Sequence, residues 1–432
     1  MRITATKTLL LYIGINLVAC GDAVYEEPTI LPYNEIPQIG IDGNGNAVAV
    51  WQRNTRSKGS VAASIYSQNN GWGKYVTISD DEDGTAWKPR IAVDSIGAAV
   101  VVWLQGKNRI VGKIHTSEGQ WSAKTILDST EEQHAFYEWD VATSDNGHTM
   151  AVFVEDFTII RAARYTHEDG WSKPELVAGN DIGRNKFLIS IDINENGDAV
   201  LAWLGEAGDI WISRHVSGAG WGSSDMIASD IHGSEMRAIA IDFAGDVMAV
   251  WSESKTLWAK HYATGSGWSS ATQIHVSPTD DSPLNLSLAI NQNGYAVTVW
   301  MEAGSVWSNE YQPDMGWGTA QNIGLNDKEA YPPVKIAMDS SGNAVAVWMQ
   351  HSIQYYPASY SLVSNRYRIG SGWETAEQLA RTDETILDPN LGLDRNGNAI
   401  AMWRTGYGIE ARVWANRYTY GTGWGKAVLV GG

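Results

Sequence analysis

The stretch IGIDGNGNAVAVW (residues 39–51) decides the fold, because degenerate copies of it recur eight times along the chain. Every copy has a turn glycine followed six residues later by a large aromatic residue. These pairs are Gly45/Trp51, Gly97/Trp103, Gly147/Phe153, Gly197/Trp203, Gly245/Trp251, Gly294/Trp300, Gly342/Trp348 and Gly397/Trp403. Asp or Asn usually stands three residues before the glycine, and both types favour tight turns. Each copy therefore predicts a β-hairpin.

A second pair follows in every repeat, a Tyr or His six residues before a Trp. These pairs are Tyr66/Trp72, His115/Trp121, Tyr165/Trp171, His215/Trp221, Tyr262/Trp268, Tyr311/Trp317, Tyr367/Trp373 and Tyr418/Trp424. They predict a second hairpin, so each repeat supplies four antiparallel strands. Successive copies of the first aromatic are 48 to 55 residues apart, which is the length of one propeller blade. We therefore expect residues 37–432 to form an all-β, eight-bladed β-propeller.

The beginning of the chain predicts export. Residues 1–19 have two basic residues and a short apolar core, LLLYIGINLV, which is better explained as a removed signal peptide than as a membrane span. The motif LVAC, ending at Cys20, resembles the lipobox of bacterial lipoproteins. That resemblance implies a diacylated Cys20, and Gly21 after it implies delivery to the outer membrane. Residues 20–36 would form a tether, and the lipid anchor would be the only contact with the membrane.

The composition limits the partners. The formal net charge is −18, which disfavours nucleic acid and anionic lipid surfaces. Cys20 is the only cysteine, so no disulfide can form within the chain. We expect a monomer without a nucleic-acid partner.

The repeats differ in one connection. Strands alternate in direction, so the connections between second and third strands and those between blades open on one face, here called the loop face; the hairpin turns open on the other, the turn face. The strand-two aromatic and the strand-three Tyr or His are 11 or 12 residues apart in repeats two to six, but 15, 19 and 15 apart in repeats one, seven and eight. These three repeats are neighbours in a closed ring.

Long loops on a rigid scaffold often carry function, whereas the alternative is a tolerated, solvated insertion. The three long connections and their flanks concentrate cationic and aromatic side chains. Our predicted ligand-binding residues there are Arg53, Arg56, Lys58, His351, Tyr355, Tyr356, Tyr360, Arg404, Tyr407 and Arg412.

Two tryptophans lie outside the repeat pattern. Of 21 Trp, all but Trp87 and Trp139 occupy recurring positions. Both enter a blade on the loop face. We add Trp87 to the predicted ligand-binding residues as a platform for stacking a sugar, and expect Trp139 to plug the mouth of the central channel.

Metal and catalytic motifs are weak. The spacing Asp42-x-Asn44-x-Asn46 resembles the start of a calcium loop but lacks the later Glu, so we interpret it as a hairpin turn and predict no metal or cofactor. Neither GxSxG nor HExxH occurs, and His115 and His215 stand at a core position that is Tyr in the other repeats. No catalytic residue is assigned, and the question of enzymatic activity stays open.

Residues 37–430 resemble the GNAxAVW-repeat lipoproteins and exported proteins of Gram-negative bacteria. In architecture they are also similar to the eight-bladed propeller lipoprotein of the outer-membrane barrel-assembly machinery, whose repeat differs. Three functions follow as hypotheses: a lipid-anchored module that binds a glycan or a protein partner, a polysaccharide lyase or glycosidase using the same face, and a periplasmic assembly scaffold. The orientation toward the periplasm or the cell surface is left open.

Overall fold

The computed structural model describes residues 34–54, 58–80, 84–130, 134–179, 187–206, 208–229, 231, 237–325, 329–352, 359–407 and 411–431. All regular secondary structure in these ranges is β-strand, arranged in eight antiparallel sheets. The predicted eight-bladed propeller is therefore confirmed. In the described ranges there is no helix that is long and apolar enough to cross a membrane.

The first strand of each blade lies nearest the axis, because the first strands of neighbouring blades contact one another around the ring. They are Asn34–Ile41, Ala86–Val93, Phe136–Thr143, Phe187–Ile193, Arg237–Ile241, Leu284–Ile290, Glu329–Met338 and Ile386–Leu393. The ring closes where the first strand of blade 1 packs against that of blade 8.

The second and third strands form the middle of each blade. The second strands are Ala47–Asn54, Ala99–Gln105, Thr149–Glu155, Ala199–Leu204, Val247–Glu253, Ala296–Glu302, Ala344–Ser352 and Ala399–Thr405. The third strands are Gly59–Ser67, Arg109–His115, Ile159–Thr166, Ile210–Val216, Thr256–Ala263, Ser305–Gln312, Ser359–Arg368 and Arg412–Thr419.

The fourth strand runs along the outer rim and is interrupted in every blade. A short segment containing the second Trp of the repeat pairs with the third strand, and a longer segment after it pairs with the same strand. In blade 2 the short segment is a single bridge at Trp121, followed by Thr125–Ser129. In the other blades the two segments are Gly71–Trp72 and Val76–Thr77, Gly170–Trp171 and Glu175–Ala178, Gly220–Trp221 and Asp225–Ala228, Gly267–Trp268 and Thr272–Val276, Gly316–Trp317 and Gln321–Asn322, Gly372–Trp373 and Glu377–Thr382, and Gly423–Trp424 and Val428–Gly431.

The hydrophobic core lies between the blades. The strand-two aromatics are buried there as predicted, with Trp51, Trp103, Phe153, Trp203, Trp300 and Trp348 wholly inaccessible and Trp251 and Trp403 nearly so. At the junction that closes the ring, Trp51 packs with Ile400 and Met402 of blade 8. Burying such side chains is the main source of stability, roughly 1.5–3 kcal/mol for each large apolar group.

The calcium-like motif forms a hairpin turn, as predicted. Asp42 Oδ1 accepts hydrogen bonds from the backbone nitrogens of Asn44 and Asn46, both at 2.8 Å. Gly45 has a φ of 78°, a left-handed conformation that glycine adopts without strain. The same contacts recur at Asp394, so this turn is a device of the repeat.

A bulge recurs near the loop-side end of the first strands. Six residues before the turn Asp or Asn, five blades have a non-glycine residue with positive φ: Ile36, Lys88, Leu188, Asn285 and Asp388. The pairing with the second strand shifts register at these points. The bulges therefore alter the direction of the strand ends that surround the loop-side opening.

On the turn face, adjacent turns are bonded to one another. The Asn396 side chain donates to the Gly43 carbonyl at 2.9 Å, and the Gly43 nitrogen donates to the Ser95 carbonyl at 3.0 Å. Arg395 of blade 8 reaches Asp145 of blade 3, with 3.1 Å between Nη2 and Oδ2. These contacts bridge part of the opening on this side.

Candidate ligand-binding face

The predicted neighbourhood of blades 7, 8 and 1 exists in the ring, since the strands of blade 8 pack against those of blades 7 and 1. Four predicted residues, Arg56, Tyr355, Tyr356 and the lipidation site Cys20, lie outside the described residues. The structure places the others at the junction of blades 8 and 1, in a cluster within blade 7, on exposed parts of blades 8 and 1 and, for Trp87, at the junction of blades 2 and 3.

Two of the predicted arginines lie at the junction of blades 8 and 1. The Arg53 guanidinium lies 5.2 Å from the centre of the Tyr75 ring, which packs edge-on against Trp51. Arg404 is only 4 % exposed and forms an ion pair with Asp388. Arg404 faces blade 1 from the second strand of blade 8, so it lies inside the fold and its Nε is already bonded.

Blade 7 contributes an aromatic cluster. The His351 ring stacks on Tyr360 with centres 4.7 Å apart and meets Tyr331 edge-on at 5.7 Å. His351 and Tyr360 are partners across the second and third strands, so the backbone register holds the stack. This cluster brings two of the predicted residues together.

Blades 8 and 1 also supply exposed groups. Tyr407 is 64 % exposed. Arg412 Nη1 lies 3.2 Å from Glu384 Oε1, and both side chains are nearly half exposed. Such surface pairs contribute roughly 0–1 kcal/mol, so the arginine can exchange this partner for a ligand. Lys58 lies just before the third strand of blade 1, on the same face.

The two unpatterned tryptophans lie at a different junction. Trp87 belongs to the first strand of blade 2 and packs, half-buried, against the core between blades 2 and 3, away from the junctions of blades 7, 8 and 1. Trp139 is 5 % exposed in that core and donates from Nε1 to the Lys88 carbonyl at 2.9 Å. It therefore pins the bulge at Lys88.

Sequence reasoning missed a pocket at the loop-side mouth of the channel. It measures about 230 Å³ and lies among the first strands of blades 2, 3 and 4; we call it the mouth pocket. Its lining residues are Lys88, Arg90, Tyr137, Glu138, Trp139, Asp140, Leu188 and Ile189. The available signal was the pair of charged runs KPR (88–90) and YEWD (137–140) at the start of first strands.

The mouth pocket combines charge with an aromatic face. Arg90 Nε is 3.9 Å from Asp140 Oδ1, and Glu138 accepts a hydrogen bond from the Ile189 nitrogen at 3.0 Å. Tyr137 is 44 % exposed and stacks on Phe157 with ring centres 3.9 Å apart. The pocket therefore offers donors, acceptors and a flat apolar surface.

Charges from three blades influence one another near the axis. Burial raises the pKa of Asp140, and the Arg90 guanidinium opposes that rise. Burial lowers the pKa of Lys335 from blade 7, Arg90 lowers it further, and Asp140 raises it. Deeper, burial raises the pKa of Asp192 to about 6, although the backbone nitrogens of Ile241 and Ile193 donate to its carboxylate.

Comparison with known proteins finds similarity in fold. The lectin BP39L from Burkholderia pseudomallei matches with a TM-score of 0.51 and 10% identity over 93% of this chain and 99% of its own. The WD40 domain of SCAP from fission yeast matches with a TM-score of 0.50 and 10% identity over 96% and 97%. A fucose-specific lectin from Aleuria aurantia matches with a TM-score of 0.39 and 12% identity over 67% and 93%.

No protein-family model and no curated protein sequence matches the chain. The lectin and the WD40 domain match this chain with nearly equal TM-scores, so the propeller fold alone does not indicate a binding partner. Any specificity for a partner must therefore come from the side chains that the ring presents.

Proposed function

We propose that the protein is a lipid-anchored propeller of the cell envelope whose loop face binds a glycan. The mouth pocket is the observation that carries this proposal. It is concave, it opens on the same face as the long connections of blades 7, 8 and 1, and it combines polar groups of both signs with an exposed tyrosine ring.

These features suit a sugar. Hydroxyl groups both donate and accept, so they pair with carboxylates such as Glu138 and with cations such as Lys88. The apolar face of a sugar ring packs on a flat, amphipathic side chain such as Tyr137. Around the ring, Tyr407 and Arg412 would contact further units of the same chain. That BP39L, which has the same fold, is a lectin agrees with this proposal.

The proposed anchor is Cys20, supported by the lipobox-like LVAC and the charged, apolar segment before it. With Gly21 following, we propose attachment to the outer membrane. The strongly negative surface would keep the propeller itself away from anionic headgroups.

The test measures binding of the detergent-solubilised full-length protein to a glycan array, followed by titration calorimetry with the best ligand. Tyr137→Ala and Tyr407→Ala should each weaken binding about tenfold or more, which is about 1.4 kcal/mol. Tyr420→Ala, an exposed tyrosine on the turn face, is the matched control and should bind normally.

Equal losses in all three variants, or a loss in the control alone, would refute the loop face as the site. Absence of glycan binding together with co-purification of an envelope protein would replace the glycan with a protein partner. Release of an unsaturated sugar would identify a lyase instead.

A further inference from the structure

A second concave site lies on the turn face, between blades 1 and 2. This groove measures about 320 Å³ and is separate from the mouth pocket. Its lining includes Asp42, Asn44, Val48, Ile65, His115 and Ser117. We call it the blade 1–2 groove. Its size is at the small end of the range for ligand pockets, so it suits a ligand of one ring.

The eight repeats show why the groove exists. At six other junctions a charged or imidazole side chain from one blade acts on the Tyr or His of the next, by contact at five of them and through its charge at Arg164/His215. For example, the Arg214 guanidinium lies 3.8 Å from the Tyr262 ring centre, Arg366 binds the Tyr418 hydroxyl, and Glu310 accepts from Tyr367. The full set of pairs is Arg164/His215, Arg214/Tyr262, His261/Tyr311, Glu310/Tyr367, Arg366/Tyr418 and Arg417/Tyr66.

At the junction of blades 1 and 2 both members are smaller. Ile65 stands at the charged position and His115 at the Tyr position. The isoleucine cannot bridge the gap with a hydrogen bond, and the imidazole does not extend as far as a phenol. The remaining junction, between blades 2 and 3, has Ile114 but retains Tyr165, which packs in the core.

A third small residue, at the position two after the strand-three Tyr or His, leaves the edge of the groove uncovered. Two residues after the Tyr, other blades have side chains that cover the neighbouring turn glycine: a methyl group at Gly45 would lie 2.7 Å from Gln68, one at Gly342 3.0 Å from Ile369, and one at Gly397 3.0 Å from Tyr420. In blade 2 this residue is Ser117. For a methyl group at Gly97, the three nearest atoms all belong to Asp42, at 3.0 to 3.8 Å, and none belongs to Ser117.

His115 is left unsatisfied at the inner wall. It is 5 % exposed, and among the described residues neither ring nitrogen has a hydrogen-bond partner. Burial lowers its pKa, and the nearby Gly119 backbone, which falls short of hydrogen-bond geometry, opposes this, so the ring is neutral at neutral pH with one donor and one acceptor. Its counterpart His215 lies 3.3 Å from the Gly197 carbonyl. Because both nitrogens are inaccessible, a ligand hydroxyl would bond His115 and offset this unmet polar group only after the ring turned toward the groove.

The residues that line the blade 1–2 groove indicate the chemical class of its ligand. Val48, Ile65 and Val93 make an apolar floor, and the polar rim includes Asn44 and Ser117. The Asp42 carboxylate is already occupied by three hydrogen bonds from Asn44 and Asn46. A ligand with one apolar edge and several hydroxyls fits, and the net charge of −18 disfavours an anion.

We propose that the blade 1–2 groove binds a single neutral sugar residue. This site does not depend on the loop face, and the two sites lie on opposite sides of the ring. A protein with both would connect one saccharide to another.

The test is saturation-transfer NMR of the full-length protein with the methyl glycosides of glucose, galactose, mannose, fucose and rhamnose. His115→Tyr, which restores the residue of the other repeats, and Ser117→Gln, which restores the cover of blade 1, should each reduce the saturation-transfer signal at least about tenfold. His215→Tyr and Ser217→Gln, the same changes in blade 4, should leave it unchanged. Thermal unfolding checks that each variant folds.

The proposal is overturned if none of these glycosides gives a signal, or if the blade 2 variants keep the signal while folded. Loss of signal in both blade 2 and blade 4 variants would also overturn it. Because Tyr137→Ala alters only the loop face, its effect on glycan binding is distinguishable from failure of this groove.

Discussion

At Asp192 a carboxylate stands where the other first strands have Gly or Ala. Its pKa of about 6, raised by burial, lies above the ordinary value of 3.8, so the folded state binds this proton more tightly than the unfolded state does. Ionisation therefore reduces stability, and the loss develops as pH rises from about 4 to about 6.

The free energy of unfolding of Asp192→Ala should therefore increase relative to that of the wild type as pH rises. A shift of two pKa units corresponds to about 3 kcal/mol, and partial exposure to the axis reduces the expected change to about 1–2 kcal/mol. Urea unfolding at about pH 4 and about pH 7 measures it. A difference between the two proteins that is constant with pH would show that the carboxylate is not perturbed.

Arg404 is expected to act on stability. Arg404→Ala removes the buried partner of Asp388 and should lower the free energy of unfolding by about 2–4 kcal/mol. Arg53→Ala, which loses the contact with the Tyr75 ring, should cost about 0.5–1 kcal/mol. Chemical denaturation compares the two. If Arg404→Ala kept full stability yet lost ligand binding, the residue would serve as the ligand donor predicted from the sequence.

At this scale the sequence showed which residues depart from the repeat but not what they do. His115 was visible as a histidine at a tyrosine position. The groove beside it depends also on Ile65, fifty residues earlier, and on Ser117. Only their packing at one junction shows that three small changes add up to a cavity.

At the scale of the strand and hairpin, the repeat spacing was a nearly complete guide. The turn glycines and the buried strand-two aromatics lie where the spacing predicts. The bulges at Ile36, Lys88 and Leu188 were not predictable, because residues of these types rarely adopt positive φ and nothing local indicates it. At Lys88 the bulge is held by other blades: Trp139 donates to its carbonyl, and its nitrogen donates to Gln52.

Trp203→Ala tests the burial of the strand-two aromatics. Removing this wholly buried ring should lower the free energy of unfolding by about 3–5 kcal/mol, because the surrounding blades cannot close the cavity. Trp268→Ala, at a half-buried position in a fourth strand, should cost less. Guanidinium denaturation monitored by circular dichroism compares them, and equal stability of Trp203→Ala and wild type would contradict the packing.

At the scale of the molecule, the sequence predicted that blades 7, 8 and 1 adjoin, because closure of an eight-repeat ring requires it. It did not predict the mouth pocket. Arg90 and Asp140 come from neighbouring blades and Lys335 from blade 7, so their mutual influence arises only when the ring is assembled.

The lipid anchor is tested on the whole protein. Cys20→Ser should abolish labelling by a fatty-acid analogue and move the protein from the membrane fraction to the soluble one, because the lipobox-like segment would lose its acceptor thiol. Membrane fractionation after expression in a Gram-negative host measures both. Membrane association that persists in the variant would mean that another segment holds the protein.

Each described blade is made from consecutive strands, including blade 1 (Asn34 to Thr77) and blade 8 (Ile386 to Gly431), so ancestral copying of one repeat would have duplicated a whole structural part. The number of blades that closes the ring is then set by the angle between neighbouring blades. At the seam, a side chain at Gly431 would collide with Trp51. A ring of seven or nine blades would need a different angle at every junction between blades. Gene rearrangements that gain or lose one repeat should therefore be strongly selected against.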